Sequence, residues 1–121
     1  MIVVIFEVLP RSGRSADYFA LAKQLAPELA KIDGFISVER FESLSEKGKY
    51  LSLSSWRDEA AVKAWYGHLG HRAAQGEGKA RIFKDFRIRV AEVIRDYDMA
   101  SRAGAAPKED GSPAALSRGR S

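Results

Sequence analysis

Apolar spacing along the chain divides it into six elements and a polar tail. Residues 2 to 9, "IVVIFEVL", are β-rich and stop at Pro10. Ile2, Val4, Phe6 and Val8 share one face, and Val3, Ile5, Glu7 and Leu9 share the other. Both faces are apolar apart from Glu7, so the strand is expected to be covered on both sides. "PRSGRS" is a loop. Ser15 is expected to cap a helix that carries Asp17 in its first turn. Tyr18, Leu21, Ala22, Leu25, Leu29 and Ile32 recur at three- and four-residue steps, as on an amphipathic helix. Pro27 should bend or split that helix. Asp33-Gly34 should end it, since glycine adopts a left-handed cap without strain.

"FISVERFES", "LSEKGK" and "YLSLSSW" then read as strand, turn and strand, a β-hairpin. Asp58 or Ser55 starts a second helix with Glu59 near its start and Ala61, Val62 and Trp65 on its apolar side. Gly67 and Gly70 are expected to interrupt it, leaving "HRAAQGEG" as a separate short turn. "ARIFKDFRIRVAEVIRDY" reads as one long strand. Ile82, Phe86, Ile88, Val90 and Ile94 lie on one side of it, and Phe83, Ala91, Val93 and Tyr97 on the other. The order β-α-β-β-α-β predicts an α+β, ferredoxin-like fold with both helices on one face of an antiparallel sheet. The other face also needs a cover, and a second copy of the chain is the simplest one, so a homodimer packed sheet to sheet is expected. The domain should span residues 1–98. Residues 99–121 are Ala, Gly, Ser, Pro and charge, too poor in large apolar side chains to offset their ordering entropy, and should form a disordered tail.

Composition narrows the function. Of 121 residues, 45% are apolar and 30% charged, which fits one soluble globular domain. Cysteine is absent, which removes disulfides, thiolate metal sites and a cysteine nucleophile. The net charge of +4 is spread along the chain, not gathered into a basic stripe with stacking aromatics, so nucleic acid is not an expected partner. The longest apolar run, "IVVIF", is too short to span a bilayer and has no preceding basic region, so no membrane association and a cytoplasmic location are expected.

"AWYGHLGHRAAQ" (64–75) concentrates the candidate chemistry. Trp65 can stack on a flat substrate or be a core residue. A neutral His71 can take a proton from a phenol or carbon acid, or merely bond the backbone at a helix start. His68 and His71 are three apart, as in helical metal pairs, but no third ligand is evident. Gln75 can donate its amide to an oxyanion or be solvated. Outside this stretch, a cavity-facing Glu7 would have a raised pKa and serve as a base; otherwise it is an ion-pair partner for Arg40, Arg87 or Arg89. Tyr18, Tyr50 and Tyr66 can bond a substrate but pack more often. No hydrolase nucleophile elbow or phosphate-binding loop is present.

The stretch "SWRDEAAVKAWYGHLGHRAAQGEGKARIFKDFRIRVAEVIRDY" resembles the antibiotic biosynthesis monooxygenase (ABM) family, and the element order resembles it from about residue 2 to 97. The resemblance implies a dimeric α+β barrel with a cavity between the helices and the sheet of each subunit. Some members oxidise phenols or quinols with molecular oxygen and no cofactor; others bind and degrade haem. Haem-degrading members carry an asparagine on the first strand, a helical tryptophan and a ligating histidine ten positions later. The matching positions here are Glu7, Trp65 and Gln75, so only the tryptophan is kept and haem is disfavoured. The expectation is a cofactor-independent monooxygenase acting on a hydrophobic aromatic phenol, anthrone or quinol. His71, Glu7 and Gln75 would be catalytic, and Trp65, Trp56 and Tyr66 would bind the substrate. The alternative is a non-catalytic module of the same fold that binds haem or a small ligand.

Overall fold

The apolar first segment becomes β1 (Ile2–Pro10), and the other strands are placed around it. The computed structural model describes residues 1–74 and 82–101. Helix α1 (Ser15–Ala30) follows, then β2 (Phe35–Glu42), β3 (Tyr50–Trp56), α2 (Glu59–Ala74) and β4 (Phe83–Glu92). The sheet order is β2-β3-β1-β4, and every neighbouring pair is antiparallel. This is the α+β, ferredoxin-like arrangement that the element order implies.

Register fixes which side chains face the helices. One row across the sheet is Arg40, Ser52, Phe6 and Ile88; the next is Val38, Ser54, Val4 and Val90. Val4 and Val8 are buried on this side, and Val4 joins Leu29, Trp56, Ala61, Val62 and Trp65 in the core. On the opposite side Val3, Ile5, Leu9, Leu51 and Leu53 are only half-buried. The second cover expected for β1 is therefore not supplied by this chain's described residues.

Several local expectations are corrected. Ser15 is the first helical residue, not the cap; Arg14 precedes it with no side-chain cap bond and pairs with Asp17. Pro27 does not split α1, because it sits in the last turn and removes a single backbone bond. The helix ends at Ala30 with Lys31 as cap, and Gly34 instead turns the chain into β2 at φ +95°. There its carbonyl accepts from Arg57 N at 2.7 Å, and a Cβ would stand 2.7 Å from the Ala61 methyl. Asp58 caps α2 by accepting from Ala61 N at 2.9 Å. Gly67 and Gly70 do not interrupt α2, which runs unbroken to Ala74. Each helical glycine costs roughly 1 kcal/mol, and the packing of Trp65, Tyr66 and Leu69 on the core outweighs that.

Strand β4 is shorter than its apolar pattern, running from Phe83 to Glu92. A register shift opposite Leu9 and Pro10 pairs Pro10 with Phe83 and turns Phe83 to the helix side, with Phe86 and Ile88. Most of the tail expected to be disordered lies outside the described residues. Its first part, 99–101, is a helical turn tied by reciprocal bonds between Asp98 and Ser101.

Candidate functional site

Between the two helices and the inner face of the sheet lies a cavity of about 590 Å³. Its floor is β3, where Ser52, Ser54 and Trp56 point inward at every second position. Short serines leave space that larger side chains would fill. Trp56 is 1% exposed, and its indole N–H donates to Ser54 Oγ at 2.9 Å, which locks the ring. Leu25 and Leu29 of α1 and Trp65, Tyr66 and Leu69 of α2 wall this end. Burial raises the Tyr66 phenol pKa, so Tyr66 is a neutral donor at neutral pH.

The opposite end is aromatic and cationic. Tyr18 contacts Phe83 and Tyr50 at ring centroid distances of 6.0 and 6.1 Å, and Phe6 contacts Phe83 at 5.8 Å. Arg11, Arg40 and Lys84 reach the cavity here, with Asp85 as the carboxylate among the described lining residues. Burial raises the Tyr18 pKa and the nearby Arg40 guanidinium pulls it partly back. Arg40 acts on that hydroxyl as a neighbouring donor and cation, and the hydroxyl makes no well-formed hydrogen bond among the described residues.

Trp65, Trp56 and Tyr66 are thus brought together on the cavity wall. Glu7 is not. It lies on the sheet face away from the helices, 3.3 Å from Lys49 and 2.8 Å from Arg89. The Lys49 bond chiefly lowers its pKa, helped by Arg89 and opposed by desolvation. That is the reverse of the raised value expected of a cavity base, and the ion-pair reading describes it. His71 is exposed on α2 and is not a lining residue. Gln75 lies outside the described residues.

His68 has a place that spacing did not reveal. Its ring stacks on Trp65, with centroids 5.6 Å apart, and its Nε2 donates to Glu28 Oε1 at 2.6 Å. This contact between the helices holds Trp65 from behind. Among the described residues no group of three or more His, Asp or Glu side chains can hold a metal, and no histidine lines the cavity. The usual imidazole ligand to haem iron is therefore missing from the described walls. No described helix is long and apolar enough to cross a membrane.

Sequence reasoning undervalued Tyr18, Arg40, Ser52 and Ser54. The available signal was the alternation "SLSSW", which puts small polar residues and a tryptophan on one face.

The antibiotic biosynthesis monooxygenase family model matches residues 1–77. Jasmonate monooxygenase ABM of Pyricularia oryzae is 44% identical over 93 residues, covering 77% of this chain and 43% of that protein. The chain therefore spans less than half the length of this relative. Among solved structures, Rv0793 from Mycobacterium tuberculosis superposes with a TM-score of 0.67 at 19% identity, over 80% of this chain and 98% of that one. SnoaB, a cofactor-independent oxygenase from Streptomyces nogalater, gives a TM-score of 0.63 at 14% identity, over 78% and 94% of the two chains. At these identities the structural likeness speaks for the fold alone.

Proposed function

We infer from one premise, that this chain belongs to the antibiotic biosynthesis monooxygenase family, that its cavity is the site of a cofactor-independent monooxygenase reaction. The substrate is a ring compound with an acidic C–H or O–H: a phenol, an anthrone or a quinol. The relative named for jasmonate adds a cyclic ketone acid to the same panel. The supporting observation is the cavity itself, about 590 Å³ walled by Trp56, Trp65, Tyr66 and leucines over a serine floor. Such walls bind a flat apolar body by area and ring stacking, and the serines leave it room.

Loss of a proton from such a substrate gives a carbanion or phenolate that itself reduces oxygen. At a CH2 carbon, C–H becomes C–OOH, and loss of water from the hydroperoxide leaves C=O. One oxygen atom is retained and the other leaves as water. Tyr66 donates to the developing oxyanion, and Gln75 keeps its proposed role as a second donor. Glu7 faces away and His71 is outside the lining, so the proton passes to Asp85, the carboxylate among the described lining residues, or to water. A haem version finds no imidazole on the described walls, so no step is routed through haem.

The test is oxygen uptake by purified protein with anthrone, quinol and jasmonic acid, in chelator and without added haem or flavin. Uptake is expected, and Trp65→Phe and Tyr66→Phe should lower it roughly 10-fold or more, the scale of losing one oriented contact. A folded protein that consumes no oxygen with any of these compounds refutes the reading. The scarcity of a proton acceptor among the described lining residues favours one second reading, a binding module of the same fold without turnover.

A further inference from the structure

The cavity is built asymmetrically. At the Trp56 end its polar atoms are satisfied: the indole donates to Ser54. At the Arg40 end they are not. The Tyr18 side chain is 4% exposed, and its hydroxyl is buried with no hydrogen-bond partner among the described residues. A buried hydroxyl without a partner costs roughly 1–3 kcal/mol, so native structures rarely keep one without a use. Beside it stands Arg40, on the helix-facing row of β2, with no carboxylate within ion-pair distance among the described residues. The phenol O–H is buried beside a guanidinium that is exposed and forms no ion pair among the described residues, so both can donate to an anionic oxygen that enters.

We propose that Tyr18 and Arg40 form a docking point for an acid group, so that the cavity takes an amphipathic monoanion: a carboxylate on an apolar ring body. This rests on the reading of the cavity as a substrate site and names the class of substrate. Arg40 supplies the charge and paired N–H donors, and Tyr18 supplies a further donor once the flexible Arg40 side chain shifts to admit the ligand. Length agrees. Ser52, in the Arg40 row, and Trp56 are four residues apart on β3, or about 13 Å at the rise of a strand. An acid of that reach sets its carboxylate at Arg40 and its ring against the Trp56 and Trp65 end of the cavity. Charge agrees too. Arg40 and Lys84 line the cavity against Asp85, whose Oδ1 accepts from Phe86 N at 2.9 Å.

Isothermal titration of the full chain with matched acid and ester pairs tests this. The probes are jasmonic acid with its methyl ester, and 2-naphthylacetic acid with its methyl ester. The acid should bind ~10- to 100-fold more tightly than its ester, the scale of hydrogen bonds to a charged group. Arg40→Gln should bring that ratio to about 1 while leaving ester affinity unchanged, which also shows the cavity is intact. Tyr18→Phe should weaken the acid alone by ~3- to 10-fold. Equal affinity for acid and ester in the unaltered protein overturns the inference and leaves the cavity reading standing. Failure of all four probes to bind overturns both. Discrimination that survives Arg40→Gln but vanishes in Lys84→Gln overturns the assignment of the anchor.

Discussion

Gly34→Ala tests whether the turn into β2 and the first turn of α2 form one tightly packed joint. Gly34 has φ +95°, a conformation that alanine adopts at a cost of about 1–2 kcal/mol. Its new Cβ would lie 2.7 Å from Ala61 Cβ, well inside the ~3.5–4.0 Å optimum for two carbons. Ala61 cannot simply withdraw. It is 3% exposed, and its N–H is held by Asp58. Overpacking of this kind costs about 1–3 kcal/mol. Reduced freedom of the unfolded chain returns roughly 0.4–1 kcal/mol. The net loss is about 1–4.5 kcal/mol, centred near 3. Urea unfolding followed by fluorescence of the buried Trp56 and Trp65 would read it as a midpoint lowered by roughly 1–2 M. Ala61→Gly removes the colliding methyl, so in that background Gly34→Ala should cost only the conformational term less the same unfolded-state return, ~1 kcal/mol. A loss below ~1 kcal/mol, or an equal loss in both backgrounds, would refute the joint.

Three further outcomes are expected. Glu7 has a lowered folded pKa, so its contribution to stability is complete above the unfolded carboxylate value and is lost as pH falls through the folded one. Acid unfolding curves of Glu7→Gln should be flatter across that window, and identical curves would show that the Lys49 and Arg89 pairs contribute nothing. Light scattering should give the mass of two chains, with Leu53→Lys, on the open face opposite Ile5, shifting it to one; a single-chain mass for the unaltered protein would dismiss sheet-to-sheet pairing. Truncation after Asp98 should leave the melting temperature within about 2 °C, since no strand or core residue among the described residues is lost; a larger drop would show that residues beyond it pack on the domain.

The order of elements was legible because each carries its own period: two on the strands, and three to four on α1. Family membership was legible from the stretch after Ser55. What failed depended on neighbours distant in sequence. Parity alone puts Glu7 opposite Val4 and Val8, but with both faces of β1 apolar nothing local says which one the helices cover. Two glycines weaken a helix locally, and the contacts of Trp65 and Leu69 that outweigh them come from other elements. Tyr18 and Arg40 are 22 residues apart and meet only through the β2–β3 register and the seating of α1. Serines usually mark a strand's wet face; on β3 they mark the hollow one, and periodicity cannot tell these apart.

That hollow also governs how the molecule should respond to hydrostatic pressure. The space of about 590 Å³ is open to water along part of its rim, and domains ordinarily shrink by roughly 20–100 mL/mol on unfolding according to the void they contain. Only the part that water leaves vacant counts, and the indoles and leucines around Trp56 define that part. Any part that stays dry should lower the pressure at which the ligand-free chain unfolds, and an occupant seated against Trp56 and Trp65 should raise it.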